Sequence, residues 1–284
     1  MSTLAAALSE AIARLQDSDS PQLDAELLLC HALQRDRSYL RSHPEASMDA
    51  AQAAHFAELV AARARGEPIA YLIGKREFWS LELSVTDATL IPRPETELLV
   101  EQALALVPIA ADWDILDLGT GSGAIALALA RERPRCRIVA TDSSVEALAV
   151  ARDNAVRLKV TNVEFLQGDW YMPVTGRGFH LIVSNPPYIA LIDPHLSQGD
   201  LRFEPKQALA SGADGLDDIC HIVAGALAHL HAAGSLMLEH GYGQGSQVRE
   251  LLQAAGFSRV RSVRDLAGHE RVTAGDWINP RESR

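Results

Sequence analysis

The chain has 284 residues and a mass of 30.7 kDa, enough for two domains, one of them large enough to bury a full core. Hydrophobic residues at 48% and charged residues at 22% are those of an ordinary globular protein and exclude a disordered chain. The 26 Lys plus Arg against 37 Asp plus Glu give a net charge of −11 and a pI near 5.4, which opposes a nucleic-acid backbone as the main partner.

The first third reads as helices. Leu4, Leu8, Ile12 and Leu15 form one apolar stripe at helical spacing. Ser20-Pro21 offers an N-cap and a first-turn proline for a second helix carrying Leu23, Leu27 and Cys30. Ser47 is placed to cap a third, with Phe56, Leu59 and Val60 inward and Gly66 just past its end. Three such helices would bury one another in a domain over residues 1–72. From Gly74 to Ile91 the period drops to two, with Leu81, Leu83 and Val85 on one face and Thr86-Asp87-Ala88 as the turn, so a hairpin is expected to link the domains over 73–94. Ile91-Pro92-Arg93-Pro94-Glu95-Thr96-Glu97 is a stiff segment opening the second domain, 95–284. A helix starting at Pro94 would aim its N–H groups toward the carboxylate of a methionine-type cofactor; a rigid interdomain joint is the other reading.

Beyond it, strands at 115–118, 138–140, 163–166 and 181–183 alternate with helices at 122–132 and 144–158. A helix at 217–231, a strand at 235–239, a helix at 244–255 and strands at 259–265 and 270–277 complete an α/β domain with a mostly parallel seven-stranded sheet. Pro280 to Arg284 reads as a loose tail.

Gly119-Thr120-Gly121-Ser122-Gly123 falls between the first strand and the following helix, where glycines let a ligand approach the backbone. With Ala124 it also satisfies the dinucleotide pattern, so an oxidoreductase competes at this point. Asp117, just before the loop, suits an ammonium group and would repel a pyrophosphate, which favours the methionine end of S-adenosylmethionine. Asp142 closes the next strand, where an acidic side chain accepts both ribose hydroxyls; capping the helix from Val145 is its alternative role. Asp169-Trp170 follows the third strand, suited to an adenine amino group and to covering the ring, although the Trp could equally be core. All lie on the carboxyl edge of the sheet, where open α/β folds bind ligands.

Asn185-Pro186-Pro187-Tyr188 ends the fourth strand on that edge. Each residue before a proline is pushed into extended geometry and neither proline has an N–H, so the carbonyls and the Asn185 amide are left for a ligand. An amide or exocyclic amine nitrogen is a poor nucleophile because its lone pair is delocalised. Accepting its two N–H groups at Asn185 Oδ1 and the Pro186 carbonyl, with Tyr188 stacked on the plane, would raise its electron density and aim it at a sulfonium methyl.

These residues resemble a Rossmann-like, S-adenosylmethionine-dependent methyltransferase and, more narrowly, the HemK/PrmC family. Arg76-Glu77-Phe78-Trp79, Leu90 to Glu97, Phe203-Glu204-Pro205 with Ala208-Leu209, and Leu238-Glu239-His240-Gly241 carry the resemblance over nearly the whole chain. It implies a small helical N-terminal domain joined by a β-hairpin to the catalytic domain. The implied substrate is the glutamine of the Gly-Gly-Gln loop of class 1 peptide chain release factors, converted to N5-methylglutamine. Carried over by position, Gly119 to Gly123, Asp142 and Trp170 contact the cofactor, and Asn185 to Tyr188 hold the substrate amide.

The rival is an adenine-N6 methyltransferase, since an exocyclic amine poses the same problem; an acidic chain lacks the basic apparatus to grip phosphates or flip a base. Cys30, Cys136 and Cys220 are odd in number and without zinc spacing, and neither an apolar leader nor a spanning stretch is present, so a cytoplasmic protein with no metal and no membrane partner is expected; the sequence is silent on oligomeric state, for which a monomer is the default expectation.

Overall fold

The structure is a computed structural model describing residues 3–278; the expected tail, Pro280 to Arg284, lies outside the described residues. The chain divides into two compact units, Met1–Lys75 and Arg76–Arg284. Among the described residues no helix is long and apolar enough to cross a membrane.

The first unit holds α1 (Leu4–Arg14), α2 (Pro21–Leu33), α3 (Arg37–Ser42), α4 (Ala50–Ala64) and α5 (Ile69–Ile73). Three helices were expected; α3 and α5, of six and five residues, are too short to show a period in the sequence. The stripe of α1 is centred on Leu4, Ala7, Ala11 and Leu15, with Leu8 and Ile12 on its flank. In α2 the expected face is displaced by one position: Leu23 is exposed, whereas Asp24, Ala25, Leu28 and Leu29 are buried. The cause is Asp24, which enters the core because its carboxylate accepts from Arg63 Nε (2.7 Å), Ser18 Oγ (2.7 Å) and Ser20 Oγ (3.1 Å). Ser20 therefore does not cap α2 with its side chain.

Asp49, rather than Ser47, caps α4, in a reciprocal capping box with Gln52, and Phe56, Leu59 and Val60 point inward as the spacing requires. Asp49→Ala is expected to lower stability by about 1 kcal/mol, the usual worth of such a cap, read from the denaturant midpoint. An unmoved midpoint would show the box to be idle.

The hairpin β1 (Lys75–Phe78) and β2 (Leu81–Ser84) starts at the last residue of the first unit and otherwise belongs to the second, which continues through α6 (Glu97–Leu106), β3 (Asp114–Leu118), α7 (Ala124–Glu132), β4 (Arg137–Asp142) and α8 (Val145–Leu158). Then come β5 (Val163–Gln167), β6 (Phe179–Ser184), α9 (Asp217–Ala226), β7 (Leu230–Glu239), α10 (Gly245–Ala254), β8 (Ser258–Arg264) and β9 (Glu270–Asp276). The hairpin reverses at Trp79-Ser80, both with positive φ (52° and 56°), not at Thr86-Asp87-Ala88, which form a separate turn after β2. No Asn or Gly marks that two-residue loop, which is why it is silent in the sequence. Leu81, Leu83 and Val85 do share a buried face.

The sheet order is β5-β4-β3-β6-β7-β9-β8, parallel except where β9 runs antiparallel to β7 and β8. Alternate residues of the central strands feed two cores. Ile115, Leu181 and Val183 face α6, α7 and the hairpin, while Leu116, Leu118 and Ile182 face α9 and α10. The helix expected to run to 231 stops at Ala226, because β7 begins at Leu230, which pairs with Phe179 before the register shifts.

Candidate active site

β3 lies between β4 and β6, and the chain leaves it in opposite directions to build the two halves of the sheet. The carboxyl ends of these strands therefore border the crevice of a topological switch point. An open cleft there is lined by Gly119, Gly121, Asp142, Asp169, Trp170, Asn185 and Pro187, all expected from the sequence. Its other walls include Ala88 to Leu90, Ser143, Ser144, Pro205, Gln207, Ala208 and Asp218, which sequence reasoning missed as ligand-facing.

Four expected residues lie beneath the cleft instead of on it. Asp117 is completely buried; its Oδ2 accepts the Thr120 hydroxyl at 2.6 Å, the Ala126 backbone N–H also favours its charge, and among the described residues no close donor meets its Oδ1. Burial pushes its carboxyl group up to about 7. Thr120 and Ser122 are buried, and Gly123 (φ +85°) starts α7 where a Cβ would stand 3.0 Å from Leu127 Cδ1 and 3.3 Å from Ala151 Cβ. The loop is further held by Asn154, fully buried on α8, whose Nδ2 donates to Ser122 O (2.9 Å) and Ser84 O (3.0 Å). A lone Asn within a helix gives no sequence signal for that role.

Gly121 (φ +56°) has open space where a Cβ would be, and its N–H donates to Asp142 Oδ2 at 2.8 Å. Asp142 Oδ1 accepts from Ser144 N at 2.9 Å, but the cap of α8 is Ser144, whose Oγ accepts from Ala147 N. Asp142 is thus left facing the cleft, its carboxyl raised by burial against the backbone N–H groups that favour its charge. Trp170 lays its ring beside Gly119, where a Cβ would meet the indole at 3.6 Å, and Asp169 is exposed at the rim.

At Asn185 the cleft meets a second, small cavity of about 60 Å³ lined by Leu90, Arg93, Asn185, Pro186, Tyr188, Ile189, Leu201, Ala208 and Leu209. Asn185 Nδ2 donates to Thr96 Oγ1 at 3.1 Å, and the Tyr188 phenol donates to Glu239 Oε1 at 3.3 Å. Burial raises Tyr188 and lifts Glu239 to about 7. The segment Arg93 to Glu97 does not reach the cleft. Pro94–Thr96 forms a short 3-10 turn, and Arg93 pairs with the buried Glu204, whose Oε2 also accepts from Ile91 N at 2.9 Å. That pair joins the segment before α6 to the loop after Tyr188, a contact within the second unit.

The chain matches the PrmC N-terminal domain over residues 6–74 and the methyltransferase small domain over residues 94–198. It is 53% identical over 278 residues to the release factor glutamine methyltransferase of Pseudomonas aeruginosa, spanning 98% of this chain and 99% of that protein. To the protein of the same name from Escherichia coli it is 50% identical over 270 residues, spanning 95% and 97%. The chain belongs to the release factor glutamine methyltransferase family. A methyltransferase from Pyrococcus furiosus shares the fold at a TM-score of 0.52 and 20% identity, over 70% of this chain and 90% of that one. Release factor glutamine methyltransferases thus share nearly the whole length of this chain, which includes both the Asn185 tetrapeptide and the glycine loop.

Proposed function

We propose that this chain transfers a methyl group from S-adenosylmethionine to the side-chain nitrogen of the glutamine in the Gly-Gly-Gln loop of class 1 peptide chain release factors, giving N5-methylglutamine. The observation that carries this reading is the place of Asn185, the polar side chain that, with the apolar Leu90 and Ala208, borders both the cleft and the small cavity beside it. S-adenosylmethionine supplies an electrophilic sulfonium methyl. The residues present suit that cofactor. Asp117 sets a carboxyl group beneath the floor of the cleft on the side proposed for the ammonium group, Gly121 leaves the backbone open, Asp142 offers acceptors for two hydroxyls, and Trp170 covers a flat ring.

In the acceptor cavity, Asn185 Oδ1 and the Pro186 carbonyl take the two amide hydrogens, and the aromatic ring of Tyr188 covers the plane. No strong base is needed before attack, because the proton becomes acidic once the methyl is attached. Leu90, Leu201 and Leu209 give this cavity apolar walls. A release factor with alanine in place of the loop glutamine is expected to accept no methyl group; undiminished transfer would contradict the assignment.

Only an ionised Asp117 attracts an ammonium group. With its carboxyl at about 7, cofactor affinity is expected to fall as the pH drops. Between pH 7 and about 5.5 the fall is about tenfold, in a window where an α-amino group stays protonated. Asp117→Asn should flatten this dependence in calorimetric titrations; an unchanged slope would assign it elsewhere.

The substrate is a loop on a folded protein, so the helical unit is assigned to grip that protein away from the reacting nitrogen. Removing residues 1–72 should raise the KM for release factor with little change in cofactor affinity. An unchanged KM would remove that role.

A further inference from the structure

Leu90 and Ala208 border both the cleft and the small cavity at Asn185, so two segments far apart in the chain each give one wall to the place where the openings meet. Leu90 lies between β2 and α6, and Ala208 in the loop between β6 and α9. Both side chains are apolar, and apolar contact is non-directional, so it does not by itself fix how far apart the walls stand.

Glu204, on the same loop as Ala208, ties the two segments together. Its side chain is fully buried. Its Oε2 accepts the backbone N–H of Ile91, the neighbour of Leu90, at 2.9 Å, and its Oε1 accepts from Arg93 Nη2. The first bond grips the main chain beside Leu90, so moving that wall away from the loop would break a buried hydrogen bond. A carboxyl group suits the task because its two oxygens serve two donors at once. A buried ion pair adds little net stability over apolar residues of the same size, which leaves geometry as its contribution.

We propose that Glu204 is a positioning residue that sets the spacing of Leu90 and Ala208, and with it the alignment of the acceptor nitrogen to the sulfonium methyl. This rests on the reading of the cleft and the small cavity as the sites of cofactor and substrate amide. Each reactant has contacts of its own at the strand ends, so the clasp acts on the step in which they meet and not on the binding of either.

The test is Glu204→Gln in the wild-type and in the Leu90→Ala background, with methyl transfer to release factor measured by labelled cofactor and cofactor affinity by calorimetry. Glutamine is nearly the same size but has one acceptor oxygen, and its amino group opposes either Ile91 N–H or Arg93, which opens half of the clasp. In the wild-type background kcat should fall roughly 10- to 100-fold, the size of effect expected from a small misplacement of reacting groups. Cofactor affinity and the KM for release factor should stay within about threefold. Leu90→Ala removes the wall that the clasp holds and should itself lower kcat; in that background Glu204→Gln should change kcat by less than about twofold. Should the glutamine variant fail to fold, Glu204→Asp, which keeps both oxygens on a shorter arm, carries the same expectations. Unchanged kcat, a loss confined to KM or cofactor affinity, or equal losses in both backgrounds would overturn the proposal. Label placed by the wild-type protein on an atom other than the glutamine nitrogen would instead remove the reading on which it rests, an outcome seen separately.

Discussion

Asn185→Ala is expected to lower turnover about 100- to 1000-fold while leaving cofactor affinity within about threefold, the loss that follows removal of one preorganised polar contact at a reacting centre. The size follows from the chemistry of the acceptor. An amide nitrogen shares its lone pair with the carbonyl, so at rest it is both weakly nucleophilic and free to rotate out of line. Holding both its hydrogens corrects the two defects together, and half of that hold comes from the Asn185 side chain. The Pro186 carbonyl is left in place by the substitution, which keeps the expected loss below total inactivation. Cofactor binding survives because the remaining contacts of the cleft, at Gly119, Gly121, Asp142 and Trp170, come from other strand ends. Single-turnover rates and a calorimetric titration on the same variant separate the two quantities; unchanged turnover contradicts the assignment.

Asp142→Ala should weaken cofactor binding by about 1–3 kcal/mol, the cost of leaving polar partners unmatched. Two effects combine here. On the proposed reading the ribose would lose its acceptors, and Gly121 would lose the carboxylate that accepts its N–H at 2.8 Å, so the glycine turn would be loosened as well. Asp142→Asn keeps one acceptor oxygen and should fall between wild type and alanine. Equal affinity across the three proteins would remove Asp142 from the ribose site.

The parts of the site legible in the sequence are those with a local signature. Closely spaced glycines between a strand and a helix, and an asparagine before two prolines, constrain the backbone wherever they stand, and alternation of strands and helices puts both on one edge. Asp142 was legible as an acidic strand end, although its freedom from capping depends on Ser144. Asp117 was legible as a polar residue in an apolar strand, but not its depth below the loop.

What was not legible depends on partners distant in the chain. Asn154 ties α8 to the glycine loop and to β2, and Asp24 displaces the buried face of α2 by drawing Arg63 to it. Thr96 and Glu239 meet Asn185 and Tyr188 across separations of 89 and 51 residues. Periodicity places such residues on elements without saying what faces them. The hairpin turn at Trp79-Ser80 was missed for a different reason: its positive φ values are imposed on residue types that do not favour them.

The central claim is that the Asn185 cavity receives the carboxamide of a release factor glutamine. Its most direct test is to incubate the protein with labelled S-adenosylmethionine and separate release factor, DNA and RNA, then to locate the label by fragmentation mass spectrometry. The expected result is one methyl group on the side-chain nitrogen of the Gly-Gly-Gln glutamine. Label carried by adenine in nucleic acid, or by another residue of the release factor with that glutamine unmodified, would contradict it.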